Sequence, residues 1–120
     1  MSLIKLQIKA GNQKYPIVIG NNILNKLKQF FRENLINFNQ CLVVIDKNVP
    51  KNLISKVLNS LAKKKITIHY FNATEKHKNQ KTIDKILSIL LTKNFKRNDC
   101  LISIGGGITG DVSGFAASIF

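Results

Sequence analysis

The sequence predicts an α/β fold, a parallel β-sheet with helices on both faces behind an N-terminal β-hairpin. Three observations carry that expectation. Cys41-Leu-Val-Val-Ile45 is a continuous apolar run of strand length, the pattern of a strand covered on both faces in a parallel sheet. Amphipathic stretches of about a dozen residues alternate with further strand-like runs at Ile66 to Phe71 and Leu101 to Ile104. Residues 3 to 9 alternate apolar and polar side chains, as one strand of a hairpin does.

In chain order, that first strand is followed by Gly11-Asn12 and then by a second strand-like run, Tyr15 to Ile19. Pro16 suits a position at a sheet edge. Asn21 or Asn22 is placed to cap a helix whose apolar positions Ile23, Leu24, Leu27, Phe30 and Phe31 recur at helical spacing. After the buried strand ends at Asp46, Pro50 fits the first turn of a helix carrying Leu53, Ile54, Val57, Leu58 and Leu61 on one face. The strand Ile66 to Phe71 runs into a polar loop, Asn72 to Asn79. A third helix spans about Gln80 to Leu91 with Ile83, Ile86, Leu87 and Leu90 inward. A polar turn, Lys93 to Asp99, leads to Leu101 to Ile104, three glycines, and small apolar residues after Gly110-Asp111 in the manner of a buried helix.

With 120 residues the chain is a single domain, 1–120, able to bury about two-thirds of the surface its unfolded form exposes. Hydrophobic residues at 44% and charged residues at 21% argue against disorder. No apolar run approaches the ~18 residues of a membrane span and no signal-peptide core opens the chain, so a cytoplasmic protein without a membrane partner is expected. A net charge of +13 invites a nucleic-acid partner, which the pattern opposes. The 19 basic residues are scattered, with Lys63-Lys64-Lys65 the one run, and no aromatic residues are interleaved to stack on bases. Cys41 and Cys100 lack CxxC spacing and suit buried free thiols. His69 and His77 are the two histidines, without HExxH or a Cys/His cluster, so no metal site is expected within the chain.

Strands of a parallel sheet end on one side, and ligands bind at those carboxyl ends. Three exits therefore share a rim: Asp46, the loop Thr74 to Lys78, and Gly105 to Asp111. Of six acidic residues, Asp46, Glu75 and Asp111 lie on these exits. Gly105-Gly106-Gly107-Ile108-Thr109-Gly110 fits GxGxxG between a strand and a helix, a Rossmann-like setting. Its glycines allow a sharp turn and close approach of backbone to a pyrophosphate, and the helix N-terminus favours negative charge. The motif follows the third covered strand instead of the first, and the acid expected about 20 residues on lies past Phe120. Asp46 is placed to hydrogen-bond ribose hydroxyls in its stead.

Gly-Gly-Gly-Ile-Thr-Gly-Asp-Val-Ser-Gly-Phe-Ala-Ala-Ser, from 105 to 118, closely resembles the nucleotide-binding signature of 3-dehydroquinate synthase. Thr74-Glu75-Lys76-His77-Lys78 resembles that family's Gly-Glu-x-x-Lys loop, with Thr at 74 and His at 77 as departures, and Asp46-Lys-Asn48 its ribose-contacting strand end. The resemblance covers essentially all of the chain but the first third of a family member. It implies an NAD-dependent lyase of the shikimate pathway that converts a seven-carbon sugar-acid phosphate into 3-dehydroquinate and phosphate. Asp46 and Asn48 would then hold the adenosine ribose. Thr74, Glu75 and Lys78 would make ribose and cofactor contacts, and Gly105, Gly106, Gly107, Ile108, Thr109, Gly110 and Asp111 would cradle the pyrophosphate.

The resemblance also implies a homodimer and a catalytic divalent metal, zinc or cobalt. That metal's glutamate and histidine ligands belong to a C-terminal helical domain absent from this sequence, as do the catalytic groups. A truncated NAD-binding domain is therefore expected, exposing apolar surface and prone to self-association. Two other readings stay open from the residues. One is a stand-alone nucleotide-binding module or inactive gene fragment, since the last helix reaches Ile119-Phe120 without a C-cap. The other is a related glycerol-dehydrogenase-like or sugar-cyclising enzyme.

Overall fold

A computed structural model describes residues 3–120. The elements run β1 (Ile4–Ala10), β2 (Gln13–Ile19), a 3₁₀ turn (Leu24–Lys26), α1 (Leu27–Glu33), β3 (Gln40–Asp46), α2 (Lys51–Ser60), β4 (Lys65–Phe71), a second 3₁₀ turn (Glu75–His77), α3 (Gln80–Thr92), β5 (Cys100–Ile104) and α4 (Gly107–Ile119). Strands β4, β3 and β5 form a parallel sheet in that order, with Val43 facing Ile68 on one side and Ile102 on the other.

The apolar run of β3 explains the layering. Cys41 through Ile45 are fully buried, and their alternation splits the core in two. Cys41, Val43 and Ile45 pack with Ile54, Val57 and Leu61 of the α2 segment. Leu42 and Val44 pack on the other face with Ile86 and Leu90 of α3 and with Val112 and Ala116 of α4. Helices thus cover both faces, and each fully buried aliphatic side chain contributes about 1.5–3 kcal/mol. The chain leaves β3 for β4 on one side, then crosses back to β5 on the other. The carboxyl ends of β3 and β5 therefore flank the point where strand order reverses, the crevice in which open α/β sheets bind ligands.

Several local expectations are corrected. Neither Asn21 nor Asn22 caps the first helix: Asn22 takes a left-handed turn (φ 54°), and a 3₁₀ turn without a side-chain cap precedes the short α1. Asparagine tolerates that conformation better than most residues, so it serves the turn instead. Pro50 sits just before α2, at its N-cap, where its extended backbone leads into the helix. The α3 cap is Asn79, whose Oδ1 accepts from Thr82 N at 3.0 Å. Phe95, inside the polar turn, is buried beneath α3 and α4. The hairpin does not extend the edge of the main sheet; β1 and β2 form a separate two-stranded sheet. Cys41 and Cys100 are free thiols, and burial pushes Cys100 up to about 11, so it stays protonated at neutral pH. Among the described residues no helix is long and apolar enough to cross a membrane.

Candidate nucleotide-binding site

The three predicted strand exits converge at the carboxyl end of the sheet. At the end of β3, Asp46 Oδ1 accepts from the Asn48 backbone N–H at 3.1 Å and from Asn48 Nδ2 at 3.2 Å, a tight local turn. Asn48 Nδ2 also donates to Asn72 Oδ1 at 3.3 Å, and Lys47 N–H donates to the Phe71 carbonyl at 3.0 Å. These bonds tie the β3 exit to the β4 exit. They leave the second carboxylate oxygen of Asp46 outside the turn's own hydrogen bonds.

After β4, Thr74 Oγ1 and His77 Nδ1 are hydrogen-bonded at 2.8 Å. The two positions at which this loop departs from the family pattern are thus partners of each other, and together they brace the 3₁₀ turn that presents exposed Glu75. Lys78, next along, reaches the third exit and pairs with Asp111 at 2.9 Å. The hydrogen bond and charge of Asp111, with Glu75 adding to them, hold Lys78 above the ordinary lysine value.

The β5–α4 junction has two kinds of glycine. Gly105 takes φ 156°, and a Cβ there would lie 2.8 Å from Thr109 Cβ and 3.1 Å from Asp46 Cβ. It is the residue that lets β5, α4 and the end of β3 close on one another. At Gly106, Gly107 and Gly110 a Cβ would meet nothing within 4 Å, so backbone is open to approach there. Helix α4 begins at Gly107, earlier than the small-residue run suggests, so these glycines form its N-cap and first turn. Its first helical bond shown at this end is Gly110 N–H to the Gly106 carbonyl at 3.1 Å. The N–H groups of Gly107, Ile108 and Thr109 precede any intrahelical acceptor, and no side chain caps them. Together with the helix dipole they form a cradle of donors suited to phosphate oxygens.

Thr109 itself is turned inward. Its side chain is fully buried against Gly105, and its hydroxyl, like that of Ser113, has no hydrogen-bond partner. What Thr109 presents to the cradle is its backbone. Ile108 is half-buried, and Asp111 is exposed one turn into the helix. Asn72 and His77 were not among the predicted site residues. A polar residue immediately after β4 was the signal available for Asn72. His77 is legible only once its pairing with Thr74 is seen. Among the described residues no group of three or more His, Cys, Asp or Glu side chains could hold a metal ion.

Known proteins resemble this chain in sequence and in fold. The sequence model of the 3-dehydroquinate synthase N-terminal family matches residues 68–120, from within β4 through α4. The chain is 65% identical over 120 residues to the 3-dehydroquinate synthase of Pelagibacter ubique, covering all of this chain and 33% of that protein. It is 33% identical over 123 residues to the 3-dehydroquinate synthase of Syntrophotalea carbinolica, again covering 33% of it. The chain thus spans about a third of the length of the curated relatives it matches. A crystal structure of 2-deoxy-scyllo-inosose synthase complexed with carbaglucose-6-phosphate, NAD+ and Co2+ superposes with a TM-score of 0.83 at 20% identity, covering 97% of this chain and 32% of that one. ValA, a 2-epi-5-epi-valiolone synthase from Streptomyces hygroscopicus, superposes at 0.61 and 23% identity over 68% of this chain and 24% of that one. At these identities the two structures speak to the fold. The sequence matches say more: along its whole length the chain is similar to a part, about a third, of 3-dehydroquinate synthases, and from residue 68 onward it matches the model of their N-terminal family.

Proposed function

We propose that residues 1–120 form one NAD-binding N-terminal domain of a cytoplasmic 3-dehydroquinate synthase. The observation that carries this is the uncapped N-terminus of α4. Three backbone donors and open glycines stand at the strand-order switch point, with Asp46 and Asn48 on one side and Lys78 on the other. That donor set fits a dinucleotide. The Gly107, Ile108 and Thr109 amides suit the pyrophosphate, the free oxygen of Asp46 suits ribose hydroxyls, and Glu75 and Lys78 suit the neighbouring ribose and cofactor contacts. When bound, NAD supplies reversible hydride transfer, the chemistry by which the family makes a ring proton acidic before phosphate leaves.

This chain's own part is binding and orientation. The Asp46–Asn48–Asn72 chain of hydrogen bonds holds the ribose-facing carboxylate in place, and the Thr74–His77 bond holds the loop carrying Glu75 and Lys78. A phosphorylated sugar acid as substrate, a divalent zinc or cobalt ion held by a C-terminal domain, and pairing of two copies belong to the same reading. A nucleic-acid partner does not.

Isothermal titration of the purified chain with NAD+ tests it. The expected outcome is saturable binding that Gly107→Val reduces by at least about tenfold, with an unchanged melting temperature because Gly107 faces open space. Absence of both heat and thermal shift at millimolar NAD+ overturns the proposal.

A further inference from the structure

The carboxyl end of α1 is closed by a residue ill suited to the position. Leu35 N–H donates to the Arg32 carbonyl at 3.3 Å and Ile36 N–H to the Phe31 carbonyl at 2.8 Å, the paired bonds of a helix end that turns left-handed. Glycine is usual there, and asparagine tolerates such a backbone, as Asn22 and Asn94 do in this chain. Leu35 adopts it at φ 56° with its side chain 90% exposed. A bulky residue thus strains the backbone while its side chain stays in water. Leu35 stands at the rim of a hollow of about 390 Å³. Phe38 and Leu61, both buried, form the floor, with half-buried Phe31 beside them. Phe38 precedes β3 and Leu61 precedes β4, so the hollow lies at the amino end of the sheet, opposite the glycine turn.

The charged side chains lining this hollow are Lys28, Arg32 and Lys64, all of them cations. Among the described residues none of the three pairs with a carboxylate, and the acid of α1, Glu33, is engaged by Lys5 at 3.6 Å and Gln29 at 2.9 Å. Three cations exceed the roughly half negative charge at the carboxyl end of each of α1 and α2. Lys64 Nζ lies 5.0 Å from the Phe38 ring centroid, which sets charge directly beside the apolar floor. Phe31 and Ile36 also wall a second hollow of about 270 Å³ between α1 and the hairpin, and no charged side chain lines it. We infer that the two adjoining hollows bind an amphiphilic anion. Its head, a carboxylate or a phosphate monoester, sits on Lys28, Arg32 and Lys64, and its aliphatic chain passes beneath Leu35, over Phe31 and Ile36, toward the uncharged hollow. A ligand site is an apolar cleft with a few placed polar groups, and here those groups share one sign. Leu35 then covers the chain from the solvent side, which accounts for a leucine where the backbone favours glycine. This site is separate from the glycine cradle, and the inference does not rest on the nucleotide reading.

Titration calorimetry of the 120-residue chain with octanoate and with octyl phosphate tests it. Saturable binding at one site is expected, the tighter of the two probes naming the head. Octan-1-ol, which has the chain without the charge, and acetate, which has the charge without the chain, should each bind at least about tenfold more weakly than octanoate. Shortening octanoate to hexanoate should weaken binding about fifteenfold, at about fourfold per methylene. Arg32→Gln should weaken it by at least about tenfold, whereas Lys14→Gln, at an exposed lysine of the hairpin, should leave it unchanged. Leu35→Gly separates binding from folding. Its melting temperature should rise, because glycine suits the left-handed position, while its affinity for octanoate should fall by at least about tenfold. In the parent chain, amide resonances of Ile36, Phe38 and Lys64 should shift on titration while those of Gly107 and Ile108 hold still. The inference is overturned by the absence of saturable heat at millimolar octanoate, by octan-1-ol binding as tightly as octanoate, or by shifts centred on Gly107. An affinity indifferent to Arg32→Gln or to Leu35→Gly overturns it too, as does a lower melting temperature for Leu35→Gly.

Discussion

Gly105→Ala should destabilise this protein far more than any other alanine placed in the glycine turn. The added methyl would sit 2.8 Å from Thr109 Cβ, 3.1 Å from Asp46 Cβ and closer still to Thr109 Oγ1. Neither neighbour has room to retreat. Thr109 is fully buried on α4, and Asp46 is fixed by the β3 ladder and its turn with Asn48. Overpacking of this kind costs about 1–3 kcal/mol. Moving a non-glycine residue into a backbone region used almost solely by glycine, here φ 156°, costs about 1–3 kcal/mol more. Taking about 3 kcal/mol in all and about 4 °C per kcal/mol for a domain of this size, the melting temperature should fall by ~12 °C. Differential scanning calorimetry reads this directly, with Gly110→Ala as the control. A Cβ at Gly110 meets nothing and gains helix propensity, up to about 1 kcal/mol, so that variant should melt at or above the parent. If Gly105→Ala melts within about 3 °C of the parent, the close approach of α4 to β3 has been misjudged.

Two further outcomes follow from the charged and titrating groups. Lys78→Met removes an exposed ion pair, with side chains 43% and 61% exposed, and should leave the melting temperature nearly unchanged while weakening NAD+ binding by about tenfold by titration calorimetry. Because Asp111 raises Lys78, the pair's contribution is complete below the unfolded lysine value and is lost only as pH rises through the higher folded one. Stability across neutral pH should therefore be insensitive to this pair. His69, in contrast, is lowered by burial and by the nearby Lys85 charge, so its neutral form is favoured in the fold. Its contribution is complete above 6.5 and is lost as pH falls through the depressed folded value. Its ring resonances should titrate below 6.5, and the fall in urea midpoint on acidification should flatten in His69→Gln; a midpoint at or above 6.5 refutes the assignment.

Much of the architecture was legible from local pattern, because five consecutive apolar residues at 41–45 admit few placements other than a strand covered on both sides. Helical spacing likewise located α2 and α3, and the order of elements brought Asp46, the Thr74–Lys78 loop and the glycine turn to one rim. The short first helix was the weakest reading. Asn22 has the chemistry of both a cap and a left-handed turn, and only the path of the chain between β2 and α1 selects the turn. Phe95 was misplaced for a related reason: a single aromatic in a polar stretch carries no period, and its burial depends on how the preceding α3 and the following α4 pack together.

The sequence by itself determined which residues share a strand, which share a helix face, and that a glycine turn opens α4. Those properties follow from side-chain period and backbone freedom, which act over a few neighbouring residues. Only the tertiary structure decided what each face meets. It separated Gly105, packed against Thr109 and Asp46, from Gly106 and Gly107, which face open space. It paired Thr74 with His77 and Lys78 with Asp111. It also turned the apolar side of the hairpin outward, since alternation states that two faces differ and leaves to packing which of them is covered.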